Sequence, residues 1–208
     1  MGADNVQYII FDLSEVLIHG LVRFEEGIAR EIGVTAQTSA AAFGGPHLRA
    51  LLEGSISEDR YLKEVIEKNA WTITPDRLKT LIRQNFNATL PGTIEIARQL
   101  SHSYQLALLS DHAREWASYI VAAHEFLDGL FVCKLFSYEI GSTKREPRTF
   151  HILLDMLSAT PGQSLFIDDS ARNVEVARSV GIDSIRFTDA GQLRGELLER
   201  GMGVEHGR

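Results

Sequence analysis

The sequence predicts an α/β fold: a parallel sheet covered by helices on both faces, with an all-helical segment inserted after the first strand. Three observations carry that prediction. Short, wholly apolar runs recur along the chain and end on polar residues, helical patterns separate them, and the stretch 19–89 carries helical patterns with little strand signal. Apolar runs without alternation are strands buried on both faces. Strands that alternate with helices assemble a parallel sheet, whose ligands gather beyond the carboxyl ends of the strands near a switch in strand order.

Tyr8–Phe11 is the first such run and ends on Asp12. A second run at 106–109 ends on Ser110 and Asp111, a third at 165–167 ends on Asp168 and Asp169, a fourth at 182–187 follows Gly181, and a further strand is read around 131–136. Between them the apolar spacing predicts helices over 92–100, 113–123, 148–157 and 171–180. Pro91-Gly92 and Pro161-Gly162 punctuate the alternation. Within 19–89, helices are predicted over 22–31, Glu58–Asn69 and Pro75–Phe86. Thr74-Pro75-Asp76 supplies a cap, a first-turn proline and an early acid in good order, and Ser57 is a weaker cap signal. The alanine-, serine- and glycine-rich stretch 36–45 reads as a loop or a short helix.

The 208 residues suit one globular domain or one domain carrying a smaller inserted one. Twenty-eight acidic residues against 21 basic ones give a net charge of −7, which recommends neither nucleic acid nor an anionic membrane as partner. No run approaches ~20 apolar residues, so no membrane-spanning helix is expected. The opening residues 1–7 lack a basic stretch followed by a long apolar core and do not read as a signal peptide. The single cysteine, Cys133, excludes an intrachain disulfide framework, fits a reducing, cytoplasmic compartment and reads as a small buried hydrophobe.

Asp12, at the mouth of a hydrophobic strand, is a candidate nucleophile or metal ligand; the alternative is a capping or turn aspartate. Asp168 and Asp169 concentrate negative charge that a hard dication such as Mg²⁺ relieves through oxygen ligands. Their alternative is a loop that caps the helix beginning near Ala171, with Asn173 adding local hydrogen bonds. Ser110 offers a hydroxyl and a strand-end amide to an anion, and Lys144 offers a positive charge, although a lysine in a polar segment is equally a solvated surface residue. Their common placement after successive strands supports one site assembled from a nucleophile, anion donors and metal ligands.

These residues sit in motifs that resemble those of the haloacid dehalogenase superfamily. The matches are Phe11-Asp12-Leu13-Ser14-Glu15-Val16-Leu17, then Leu108-Leu109-Ser110-Asp111, then Gly141-Ser142-Thr143-Lys144-Arg145-Glu146-Pro147, and last Phe166-Ile167-Asp168-Asp169-Ser170-Ala171-Arg172-Asn173. Gly54 and Ser57, followed by Tyr61, resemble a subgroup that includes small phosphatases. The resemblance implies a three-layer, Rossmann-like parallel-sheet core of about five strands at 1–18 and 90–208, with a small all-helical cap at 19–89. It also implies a covalent route in which Asp12 attacks phosphorus and water hydrolyses the aspartyl phosphate. Mg²⁺ is then held by the Asp12 carboxylate, the Ser14 backbone carbonyl and Asp169, with Asp168 near Lys144 or a metal-bound water. Ser110, the Asp111 amide and Lys144 hold the phosphoryl oxygens, since metal and lysine must neutralise a group that repels a carboxylate. His19, Arg23 and Phe43 are candidate entrance or cap contacts, Gly44-Gly45-Pro46-His47 a loop over the site, and Trp71 and Phe86 packing residues of the cap.

Phosphatases of the superfamily usually place a second aspartate two residues after the nucleophile, where this chain has Ser14. A serine hydroxyl is a poor general acid, and loss of positioned acid–base help lowers rates by ~10²- to 10⁴-fold. Asp111 stands where many relatives have asparagine, and Arg145-Glu146 where proline and aspartate often follow the lysine. Three readings follow: a slow or selective phosphatase of a small phosphorylated metabolite, as monomer or homodimer; a 2-haloacid dehalogenase-like hydrolase, whose halide leaves without a proton; and a non-catalytic domain that binds a phosphorylated ligand or a protein.

Overall fold

The computed structural model describes residues 5–22 and 24–203. Residues 1–4 of the opening segment, and the candidate Arg23, lie outside the described residues. Five parallel strands, β1 (Tyr8–Phe11), β2 (Gln105–Ser110), β3 (Cys133–Phe136), β4 (Ser164–Asp168) and β5 (Asp183–Arg186), form one sheet in the order β3-β2-β1-β4-β5. The chain therefore leaves β1 for β2 on one side and reaches β4 on the other. The carboxyl end of β1 lies at that switch point, where an α/β sheet opens a crevice.

The pleat sends successive side chains to opposite faces. Ile9, Phe11, Leu106, Leu108, Leu165, Ile167 and Ile185 belong to one apolar cluster, and Ile10, Ala107, Leu109, Leu135 and Phe166 to another. The first face is covered by α6 (Thr93–Leu100), α7 (Arg114–Ala123), α8 (Phe126–Leu130) and α12 (Ala190–Glu199), through residues such as Ile96, Trp116, Leu127 and Leu193. The second is covered by α10 (Pro147–Leu157) and α11 (Ala171–Ser179), through Phe150, Leu153, Leu154 and Ala177. Cys133 sits on the edge strand β3 and is only half-buried, which corrects its reading as a buried residue; an edge strand is covered from one side only.

Between β1 and α6 the chain forms α1 (Phe24–Ile32), α2 (Ala36–Ala42), α3 (Gly45–Leu52), α4 (Glu58–Asn69) and α5 (Pro75–Phe86). The caps act as the sequence suggests: Ser57 Oγ accepts from Arg60 N at 3.3 Å and Thr74 Oγ1 from Arg77 N at 3.2 Å. Phe24, Phe43, Tyr61 and Trp71 pack at the centre of this helical layer, with ring centroids 4.7 to 6.4 Å apart around Phe43. Tyr61 Oη also donates to the Phe43 carbonyl at 2.7 Å. Of the two places the sequence suggested for Phe43, entrance or cap, the packing puts it inside the helical layer. Its ring gains more by burial among three aromatic neighbours than it would at a polar mouth.

The helical layer does not stand apart from the sheet, because the apolar cluster runs on from Phe43 and Tyr61 through Trp116 and Phe86 to the strands. Polar ties reinforce it at two edges. At one, the buried Glu58 carboxylate is bidentate to Arg83 (Nη2–Oε2 2.7 Å) and accepts from Trp116 Nε1 at 2.7 Å. At the other, Ser137 Oγ on α9 (Ser137–Ile140) donates to the Leu52 carbonyl at 2.6 Å, and Arg49 pairs with Glu146.

Candidate active site

The site forms where β1, β2 and β4 end together. The Asp12 amide donates to the Ile167 carbonyl at 2.9 Å, continuing the sheet ladder one residue past β1 and fixing the carboxylate at its mouth. Asp12 Oδ1 receives Leu13 N at 2.7 Å, Ser110 Oγ at 3.2 Å and Lys144 Nζ at 2.6 Å. With these donors gathered on Oδ1, Oδ2 is the oxygen left to attack or coordinate. Lys144 is buried at 2 % exposure and also bonds Asp168 Oδ2 at 2.7 Å, so its reading as a solvated surface residue is overturned. Its position follows from the turn that carries it: Ser142 Oγ bonds Thr149 Oγ1 at 2.8 Å and Glu146 at 3.0 Å, and Thr149 Oγ1 donates to the Thr143 carbonyl at 2.7 Å.

Asp168, the last residue of β4, accepts from Ser170 N at 2.8 Å and from Asn173 Nδ2 at 3.1 Å. Asn173 thus makes the local hydrogen bonds the sequence suggested, but to a carboxylate that already serves Lys144. Carboxylate oxygens of Asp12, Asp168 and Asp169 lie within 4.8 Å of one another. Burial pushes the Asp12 carboxyl well above its usual pKa; Asp168 and Asp169 push the same way and Lys144 opposes them. Asp169 is raised by burial and then by Asp168. Burial works against the Lys144 charge, but Asp12, Asp168 and Asp111 outweigh it and hold the ammonium protonated. Crowded, partly desolvated carboxylates of this kind suit a small dication with oxygen ligands.

Asp111 turns its carboxylate to the Lys144 backbone amide, 3.0 Å from Oδ1, and burial raises its pKa. Glu15, in a left-handed backbone conformation (φ 60°), turns to Gly20 N at 2.7 Å and Val22 N at 3.2 Å. It braces the turn after β1. Ser14 Oγ bonds His112 Nε2 at 2.9 Å. His112 was not singled out by the sequence, although it directly follows Ser110-Asp111. Its ring lies buried edge-on to Phe86 and Trp116, Nδ1 has no partner among the described residues, and burial followed by the Lys144 charge lowers its pKa to about 3.

A cleft of about 610 Å³ separates the helical layer from these loops. Gly44, Gly45 and Pro46 line it as the sequence suggested, with Leu48 and Leu52 beside them and Asp111, Thr143 and Arg145 opposite. His47 turns away to Glu64 at 2.8 Å. His19 is not a cleft residue: its amide donates to the Ala88 carbonyl at 2.8 Å where the chain enters the helical layer, and its ring is 3.9 Å from Glu15.

Comparison with known proteins agrees with this architecture. The chain is 24 % identical over 156 residues to the D-ribitol-5-phosphate phosphatase of Bacteroides thetaiotaomicron, covering 71 % of this chain and 74 % of that protein. It is 25 % identical over 198 residues to acyl-CoA dehydrogenase family member 10 of Mus musculus, covering 89 % of this chain but 18 % of that longer protein. Among solved structures, a HAD family enzyme of Bacteroides thetaiotaomicron in complex with magnesium superposes with a TM-score of 0.75 at 19 % identity, over 93 % of this chain and 98 % of that one. The L-2-haloacid dehalogenase of Xanthobacter autotrophicus superposes with a TM-score of 0.67 at 16 % identity, over 96 % and 85 %. The family model of the haloacid dehalogenase-like hydrolases matches residues 6–181, a span that holds β1 to β4 and every acid of the cluster, and the chain belongs to that hydrolase family.

Proposed function

We propose that this hydrolase is a Mg²⁺-dependent phosphatase of small phosphomonoesters, with Asp12 as the nucleophile. The observation that carries the reading is the set of buried Asp12 and Asp168 with half-buried Asp169 within 4.8 Å, with Lys144 joined to two of its members. A halide leaving group would need no such concentration of metal-binding charge. The phosphatase from Bacteroides thetaiotaomicron, and a related structure with magnesium and inorganic phosphate, support the same substrate class.

In this reading Asp12, the Ser14 carbonyl and Asp169 would hold the ion, with Asp168 beside them and bonded to Lys144. The ion supplies positive charge against the phosphoryl oxygens. The Asp12 carboxylate attacks phosphorus while the ester P–O bond breaks, and water then cleaves the aspartyl phosphate. Ser110 Oγ and Lys144 Nζ, already gathered at Asp12, hold the phosphoryl oxygens in line, and the Asp111 amide adds a donor. Asp168 keeps Lys144 aimed at Asp12. The helical layer at 19–89 acts as the cap that bounds the leaving group.

Two residues after Asp12 the departing oxygen meets no carboxylic acid. Ser14 offers it only a hydroxyl engaged with a neutral imidazole, so turnover favours leaving groups that depart without strong proton assistance. Phosphate release from a panel of small monoesters, with and without Mg²⁺, tests the reading: metal-dependent release that falls by ~10³-fold or more in Asp12→Asn is expected. No metal-dependent release from any member would overturn it, and halide release from a small 2-haloacid is then the measurement to make.

A further inference from the structure

Lys144 and Arg145 are neighbours in sequence and opposites in placement. Lys144 turns inward to Asp12 and Asp168, whereas Arg145 is exposed and lines the cleft. The cleft borders the acid cluster through Asp111, Ser170 and Asn173, which bond Lys144 or Asp168, so a substrate with its phosphoryl group at Asp12 can extend into it toward Arg145. The other charged groups of the cleft are engaged: Arg49 is paired with Glu53 and Glu146, and the Asp111 carboxylate accepts from the Lys144 amide. Arg145 makes no hydrogen bond or ion pair with any described residue; its charge reaches Asp111 only through space. The wall facing it is Pro46, Leu48 and Leu52, which offer no carboxylate.

Resting on the phosphatase reading, we propose that Arg145 binds a second anionic group, a carboxylate or a phosphate, carried by the leaving-group side of the substrate. A planar guanidinium suits either group, since both accept paired N–H donors. A neutral alcohol phosphate would leave this cation without a counterpart. The chain's departure from the family pattern after Lys144 then acts as a specificity element.

Three compounds with the same carbon count test this: n-propyl phosphate, 3-phosphooxypropanoate and propane-1,3-diol bisphosphate. The expected result is a kcat/KM at least ~10-fold higher for one or both charged compounds, the better of the two naming the group. Arg145→Met should bring the ratio of charged to neutral substrate close to one, and Arg145→Lys should restore part of it. Equal rates in the wild type, or a preference that survives Arg145→Met, would overturn the proposal. If none of the three is hydrolysed the phosphatase reading is what fails, and calorimetric titration with the same compounds decides the role of Arg145. Tighter binding of a charged compound that Arg145→Met abolishes supports it, and equal binding overturns it.

Discussion

Asp12 is buried with Asp168 beside the half-buried Asp169, and Lys144 stands against their mutual repulsion. Replacing Lys144 by Met strands two carboxylates in a poorly solvated pocket. Breaking a buried pair in this way costs ~3–5 kcal/mol. Urea unfolding of Lys144→Met at neutral pH should show a loss of this order. The deficit should shrink as pH falls, because the Asp12 carboxyl, raised by burial, takes up a proton sooner in the folded state than in the unfolded chain. His112 behaves in the opposite sense. Its folded pKa of about 3 lies below the unfolded value, so it favours folding while neutral, and that contribution fades as pH drops from ~6.5 toward 3, by up to ~1.4 kcal/mol per unit. Unfolding curves over that range should slope more steeply for the wild type than for His112→Gln. Gly20 is a further constraint at this scale, since a Cβ there would lie 2.6 Å from Ser14 Cβ and displace the turn after β1.

Among the elements, the helices whose limits were read correctly are those with explicit punctuation. Glu58–Asn69 and Pro75–Phe86 begin after Ser57 and Thr74, whose hydroxyls do cap them. α3 was missed because Gly44-Gly45-Pro46 reads as a loop, yet Gly44 is its N-cap and the proline fits its first turn. α12 was missed because Gly191 and Gly195 interrupt the pattern, although Asp189 caps it by accepting from Gln192 N at 2.9 Å. The joint between helical layer and sheet is testable here. Arg83→Met leaves the Glu58 carboxylate buried without its cation and should cost ~3–5 kcal/mol, and Trp116→Phe removes one donor and should cost ~1–3 kcal/mol. A double-mutant cycle in denaturant should give a coupling of ~0.5–3 kcal/mol, whereas strict additivity would dissolve the network. Gly54→Ala should also destabilise, because φ is +72° and the added Cβ meets the Tyr138 carbonyl at 2.9 Å.

Over the whole molecule, one apolar cluster unites the helical layer with one face of the sheet, while α10 and α11 close the other face. A ligand that binds the folded acid cluster therefore stabilises the entire chain. Mg²⁺ at ~100 times its dissociation constant should add ~2.7 kcal/mol and raise the Tm. Thermal unfolding with and without Mg²⁺ should show this shift in the wild type and lose most of it in Asp169→Asn. No described helix is long and apolar enough to cross a membrane.

The sequence by itself determined the alternation of strands and helices, and it put Asp12, Ser110, Asp168 and Asp169 at or just beyond strand ends. Both are local properties: an unbroken apolar run and the polar residue that ends it are written in consecutive positions. Tertiary structure alone decided that Phe43 packs inside the helical layer, that Arg83 and Trp116 meet on Glu58, and that His112 closes on Ser14. The Ser14–His112 partners are 98 positions apart in the chain, and which groups lose water together depends on how β1 and β2 bring their ends into register. The turn held by Ser142 and Thr149 draws Lys144 inward and leaves Arg145 facing the cleft, a division that residue types in sequence do not contain.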